Sequence, residues 1–259
     1  VVFDVPVASA TAWILLAVAA LIVGLSKTAI PGATTVAVAM FASVLPARES
    51  TGALLVLLLI GDLLAIWSYR RDVDWRTLFR LIPTVLVGVV AGAIFLDYAS
   101  DSTVRRVIGI VLLALLALTL VRRALASRRA RPQSRGLERR PVHPVEAGGY
   151  GALGGFTTMV ANAGGPVMSL YFLAMRLPVT RFLGTTAYFF FAVNLVKLPF
   201  QIGIGLLSPH ILLLDLVLAP LVIVAAWGGR ALARRIDQRL FDALMLILTG
   251  IGALNLMFG

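Results

Sequence analysis

The stretch Gly24-Leu-Ser-Lys-Thr-Ala-Ile-Pro-Gly-Ala-Thr-Thr35 interrupts a long apolar run with two glycines, a proline, four hydroxyl side chains and Lys27. A helix continued through it would lose a backbone hydrogen bond at Pro31 and strand an ammonium group in hydrocarbon, so the chain is expected to break here. A second interruption, Thr157-Thr-Met-Val-Ala-Asn-Ala-Gly-Gly-Pro166, lies in an equally apolar setting, and its Gly164 follows Gly32 by 132 positions. Paired breaks at corresponding places in two hydrophobic halves are the pattern that marks the binding site of many membrane transporters.

The composition around these breaks excludes an ordinary soluble domain. Of 259 residues, 60% are hydrophobic and only 14% charged, and the mean hydropathy is +0.97; such a chain has too little polar surface to face water. The apolar runs reach roughly 15 to 22 residues and lack the alternation of a membrane β-barrel, so they read as helices of an all-α polytopic membrane protein. No cysteine is present, which rules out disulfides, thiolate catalysis and thiolate-held metals. The first apolar run has no basic stretch before it and reads as a retained helix rather than a cleaved signal. The net charge of +11 is densest from Arg122 to Arg140, between the two hydrophobic halves. It reads as a cytoplasmic linker beside anionic lipid headgroups, not as a nucleic-acid surface.

In chain order, helices are expected over about 11–26, 34–45, 51–69, 78–96 and 104–121, and again over 147–158, 167–175, 181–204, 211–227 and 240–258. The division is therefore an N-terminal membrane repeat (1–123), a basic linker (124–146) and a C-terminal membrane repeat (147–259). The segment after each break is too short to cross a bilayer upright and is expected to be re-entrant or half-length. Leu45 and Pro46 recur as Leu177 and Pro178, 132 positions on. After a five-residue insertion Pro83 and Gly92 recur as Pro220 and Gly229, 137 positions on, and Gly88 with Gly92 has the spacing of close helix packing. Arg70, Arg71, Arg76 and the linker place one set of helix ends in the cytoplasm. In the second half the arginines (Arg176, Arg181, Arg230, Arg234, Arg235, Arg239) sit at the opposite ends, so the second copy reads as inverted. About ten helical segments result, or about eight complete spans.

Lys27 at mid-membrane costs about 2.5–3.5 kcal/mol if unpaired. It either snorkels or pairs with Asp62, or it lines a water-filled cavity and attracts an anion, helped by the free helix N-termini that follow Pro31-Gly32 and Gly164-Gly165-Pro166. Ser26, Thr28, Thr34, Thr35, Thr157, Thr158 and Asn162 offer neutral donors for an oxyanion. Asn194, Lys197 and Gln201 share one helical face, with Pro199 between them. Asp62 stands where the second copy has Asn194, and is either a proton carrier that couples transport or a counter-ion to a lysine. Asp97 and Asp215 fall near expected helix ends and read as interfacial. His143 and His210 stand alone, and no HExxH, GxSxG or acidic metal cluster is present, so no cofactor, no metal and no enzymatic reaction are expected. A passive anion channel and an enzyme acting on a phosphorylated lipid remain as alternatives, and the oligomeric state is not legible.

Taken in order, the first break, Leu45-Pro46, Trp75, Pro83 with Gly88 and Gly92, Ala161-Asn-Ala-Gly-Gly-Pro166 and Leu177-Pro178 resemble the TauE/SafE family of sulfite and organosulfonate exporters, over almost the whole chain. The resemblance implies a bacterial inner-membrane transporter, proton-coupled or not, that exports a small sulfur-containing anion such as sulfite or sulfoacetate. Its glycine-rich breaks fall on 26–34 and 161–166; together with the polar residues read above, this makes Ser26, Lys27, Thr28, Gly32, Thr34, Thr35, Asn162, Gly164, Gly165, Asn194, Lys197 and Gln201 the expected binding residues, with Asp62 for coupling. This chain departs from many relatives in carrying Lys27, and in having Ile30-Pro31-Gly32-Ala33 where they carry a run of glycines.

Overall fold

A computed structural model describes residues 9–29, 33–71, 73–128, 144–175 and 179–232. Among these the chain forms nine helices: α1 (Ala10–Thr28), α2 (Thr34–Val44), α3 (Ala47–Tyr69), α4 (Trp75–Tyr98), α5 (Asp101–Arg128), α6 (Pro144–Ala161), α7 (Gly164–Ala174), α8 (Val179–Gly203) and α9 (Pro209–Leu232). The helix expected at 240–258, most of the linker, Gly32 and the Leu177-Pro178 pair lie outside the described residues. Four of the helices, α1, α3, α4 and α9, are long and apolar enough to cross a membrane.

Local chemistry fixes where the helices begin. Ser9 caps α1 by accepting from the Ala12 amide at 3.2 Å, Asp74 caps α4 through the Thr77 amide at 3.3 Å, and Pro46 precedes the first turn of α3. Pro166 falls in the first turn of α7, where its missing N–H costs nothing.

Both breaks are narrower than the sequence pattern implies. α1 continues through Ser26, Lys27 and Thr28, and α6 continues through Thr157 and Thr158, leaving Asn162 and Ala163 as the second break. The reason is that the hydroxyls bond their own helix: Thr28 Oγ1 donates to the Gly24 carbonyl at 3.2 Å, and Thr157 Oγ1 to the Leu153 carbonyl at 2.8 Å.

α2 and α7 have 11 residues each, about 16 Å of helix against a hydrocarbon core of about 30 Å. α7 turns back along α6: a Cβ on Gly154 would meet the Met168 side chain, and one on Gly164 the Thr158 side chain. α2 likewise packs on α1.

The two halves interlock. The most extensive packing between them is α1 on α9 and α4 on α6, with α3 against α8. Glycines set the closest approaches, and they do so twice. A Cβ on Gly24 of α1 would strike the Val222 carbonyl and the Ala226 amide of α9, while one on Gly155 of α6 would strike the Val85 carbonyl and Val89 amide of α4. Gly229 faces Leu25 and Thr28; Gly92 faces Phe156 and Met159. In every case the α1 and α6 residues are 131 positions apart and the α4 and α9 residues 137 apart.

Polar groups lie inside and apolar ones outside, as a lipid solvent requires. Asp62, Lys197 and Gln201 are wholly buried, whereas Val87, Phe79, Leu216 and Trp227 are each about two-thirds exposed.

Replacing Gly24 or Gly155 by valine should separate the paired helices and cost at least about 1–3 kcal/mol, read as a lowered melting temperature in detergent. Gly149→Ala, where a Cβ would meet nothing within 4 Å, should leave the melting temperature unchanged or raise it slightly.

Candidate functional site

The first break is closed by its own side chains. Ser26 Oγ, in the last turn of α1, accepts from the Thr34 amide at 3.1 Å and lies 2.7 Å from Thr34 Oγ1, so it caps α2 across the gap. At the second break Asn162 adopts φ 48°, the left-handed conformation that ends a helix and that asparagine tolerates better than most residues.

From these two points a continuous polar chain crosses the centre of the bundle. Lys27 Nζ sits 2.6 Å from Asp62 Oδ1, an ion pair between α1 and α3. Asp62 Oδ2 accepts from Asn194 Nδ2 of α8 at 2.7 Å. Lys197 Nζ, one turn further on, donates to Asn194 Oδ1 at 3.3 Å and to Asn162 Oδ1 at 2.5 Å. Asn162 Nδ2 completes the chain on the Thr51 carbonyl at 2.9 Å. Two lysines and one carboxylate enter this network, so its formal charge is positive. Lys27 also lies 4.9 Å above the Phe190 ring, a cation–π contact that holds the ammonium over an apolar floor. Tyr69 ties the ends of α1 and α3 together by donating to the Thr28 carbonyl at 2.8 Å.

A small cavity of about 30 Å³ opens on this chain, walled by Ser26, Lys27, Thr34, Leu58, Asp62, Thr158, Asn162, Gly165, Thr186, Ala187, Phe190 and Asn194. Thr34 and Gly165 belong to the first turns of α2 and α7, so the N-terminal ends of both short helices border it. The walls pair up across the chain. Lys27 with Thr158 and Thr34 with Gly165 are 131 positions apart; Leu58 with Phe190 and Asp62 with Asn194 are 132 apart. The members of the last pair are bonded to each other.

Of the residues expected from sequence, Ser26, Lys27, Thr34, Asp62, Thr158, Asn162, Gly165 and Asn194 meet at the cavity. Gly164 begins α7 beside Gly165 and packs on Thr158. Lys197 is not a wall; it stands behind Asn162 and Asn194 and orients both amides. Thr35 and Gln201 are buried but are not walls either. Thr28 lines a second, separate cavity of about 240 Å³ with Leu64, Trp67, Ser68, Ala226 and Trp227. Leu58, Thr186, Ala187 and Phe190 were not legible as walls. Leu58 and Phe190 stand one helical turn before Asp62 and Asn194, which is the signal that locates them once those two are known to face inward.

The Lys27–Asp62 pair has almost no access to water on the aspartate side. Asp62→Asn leaves the ammonium without a counter-charge and should cost about 3–5 kcal/mol, whereas joint replacement by Lys27→Met and Asp62→Leu should cost distinctly less than either single change. Thermal unfolding of Lys27→Met, Asp62→Leu and the double variant, with Asp62→Asn alongside, decides it; strictly additive losses would mean that the pair is not energetically coupled.

The description that fits this chain is sulfite exporter TauE/SafE, whose family pattern matches residues 16–256. No curated protein matches the chain, and no solved structure does. A match over nearly the full length, on a chain whose long apolar helices surround a buried polar core, shows that it belongs to the TauE/SafE family of multi-pass membrane transporters.

Proposed function

We propose that the protein is a secondary transporter that carries a small sulfur oxyanion, sulfite or a compact organosulfonate, through the cavity between the two helix breaks. The observation that carries this reading is the placement of Lys27 on the cavity wall, beside the first turns of α2 and α7. An ammonium group and two helix N-termini directed at one enclosed space favour an anion there. Ser26, Thr34, Thr158, Thr186 and the amide groups of Asn162 and Asn194 supply neutral polar atoms around it. The volume of about 30 Å³ is twice to three times what a single water needs, and it favours a compact oxyanion over sulfoacetate. Lys197 acts by fixing the two asparagines rather than by touching the anion.

Transport itself would use two halves built as inverted copies. Reciprocal contacts support this: α1 meets α9 through the residues whose counterparts bring α6 to α4, which is the relation expected of two units about a two-fold axis. Asp62 and Asn194, counterparts in direct contact, lie on that axis. Rocking one half against the other around this point would open the cavity to each side in turn. In this arrangement the basic linker 124–146 faces the cytoplasm of a bacterial cell and the inner membrane is the site of action; export as the direction rests on the family's description as a sulfite exporter. Asp62 is held by Lys27 on one oxygen and Asn194 on the other, which supports a counter-ion role for it over that of a proton carrier.

The test is the thermal stability of the purified protein against sulfite, thiosulfate, sulfate, sulfoacetate, taurine and chloride. A true ligand at 100 times its dissociation constant stabilises by about 2.7 kcal/mol. A compact sulfur oxyanion should raise the melting temperature of the wild type, and Lys27→Ala should weaken its apparent affinity about tenfold or more, the worth of a charge-assisted hydrogen bond. No shift with any anion, or an equal shift in the variant, would refute the assignment.

A further inference from the structure

Asp215 is the titratable group that the site above leaves unused. It lies in the second turn of α9, within a segment apolar enough to span the membrane, and is 2% exposed. Neither carboxylate oxygen has a hydrogen-bond partner, and no ion pair of Asp215 is seen among the described residues. Its place near a helix start sets its depth along α9, and the packing of the neighbouring helices sets its burial. An ionised carboxylate so placed would be among the costliest groups a fold can hold, whereas the protonated acid is a small, nearly neutral dipole.

The surroundings bear this out on each packed element. Asp215 shares the buried face of α9 with Leu214, Leu218 and Val222, the face that packs on α1 and α3. Val222 sits against Gly24 and Gly61, at the level of the Lys27–Asp62 pair, and Asp215 lies seven residues earlier, about 10 Å along the helix. On α1 the one charged residue is Lys27, already bound to Asp62. On α3, Arg48 is turned to the Ala99 carbonyl, Tyr69 is bonded to α1, and Glu49 lies in the first turn. On α9 itself His210 is exposed at the helix start. No group of three or more metal-binding side chains occurs among the described residues, so a proton is the ligand the chemistry fits.

We propose that Asp215 is a proton-binding site of the transport cycle, and that α9 closes on α1 and α3 only while this carboxyl group holds its proton. The arrangement seen here is the closed one, with the carboxylic acid neutral against α1 and α3. Opening toward water on one side breaks the O–H bond and releases the proton to solvent; before α9 can close again the carboxylate must take a proton back. Because the same helix face meets Gly24 and Gly61 beside the Lys27 site, closure over the anion and burial of the protonated acid are one movement. This rests on the transport reading above.

Two arms test it. In proteoliposomes, wild type and Asp215→Asn are compared for exchange of labelled thiosulfate at pH 6 and at pH 9, equal on both sides; thiosulfate keeps its charge over this range. At pH 6 the two should agree within about threefold, while at pH 9 wild-type exchange should be about tenfold slower and that of the variant unchanged. An equal fall in both, or none in the wild type, would overturn the proposal, as would loss of exchange in both Asp215→Asn and Asp215→Leu at native melting temperature. If the wild type moves no thiosulfate, the transport reading fails on that probe and the second arm decides alone. Dicyclohexylcarbodiimide attacks carboxyl groups that are protonated in apolar surroundings. At pH 7.5 mass spectrometry should find it on Asp215 and not on Asp62, and an unmodified Asp215 would refute the assignment.

Discussion

An ammonium group in hydrocarbon must be given a partner, and much of this structure follows from how Lys27 is given one. Its bond to Asp62 joins α1 to α3 at 2.6 Å, and it requires that the two helices lie close enough for a Cβ on Gly61 to collide with the lysine stem. That closeness in turn brings Val222 of α9 into the same layer. Removing the charge would relax the need for Gly61, for the carboxylate and for the amide of Asn194 that steadies it. A buried ion pair contributes little net stability over a well-packed apolar substitute, so its presence here is better understood as a requirement of the site than as a device for holding the bundle together.

The network around the pair is built from amides rather than from further charges. Asn162 and Asn194 each turn an oxygen to Lys197 and a nitrogen elsewhere, one to the Thr51 carbonyl and one to Asp62. An amide can accept and donate at once, so it passes the orientation imposed by Lys197 through to the cavity wall without adding charge. Asn162 serves twice, because its left-handed backbone also ends α6 and releases the N-terminus of α7. A helix break and a binding wall thus depend on one residue.

Much of this was legible in the sequence, and the remainder was hidden for identifiable reasons. The two breaks, the short helices after them, and the inward role of Lys27, Asp62, Asn162 and Asn194 follow from polar residues placed where hydrocarbon forbids them. The extent of each break did not follow, because Ser and Thr satisfy themselves on their own helix and let it run on past the point where composition changes. Lys197 and Gln201 share a face with Asn194, yet only Asn194 reaches the cavity; the face sets the direction, and packing sets the depth. The burial of Asp215 was not legible, because distance along the chain from a helix end says nothing of how the neighbouring helices pack on it. Leu58 and Phe190 carry no chemical signal at all, being apolar residues among many.

The hydrogen bond between Asp62 and Asn194 joins two residues 132 positions apart, the same separation as that of Leu45-Pro46 from Leu177-Pro178. Two separate but identical subunits would set like against like at such a point, acid facing acid or amide facing amide. Two adjacent carboxylates would repel, and two amides would offer Lys27 no counter-charge. Holding both halves in one polypeptide lifts that restriction, since each position can then mutate independently of its counterpart. The charge asymmetry at the centre of the molecule is therefore open to two unlike halves and closed to two identical copies.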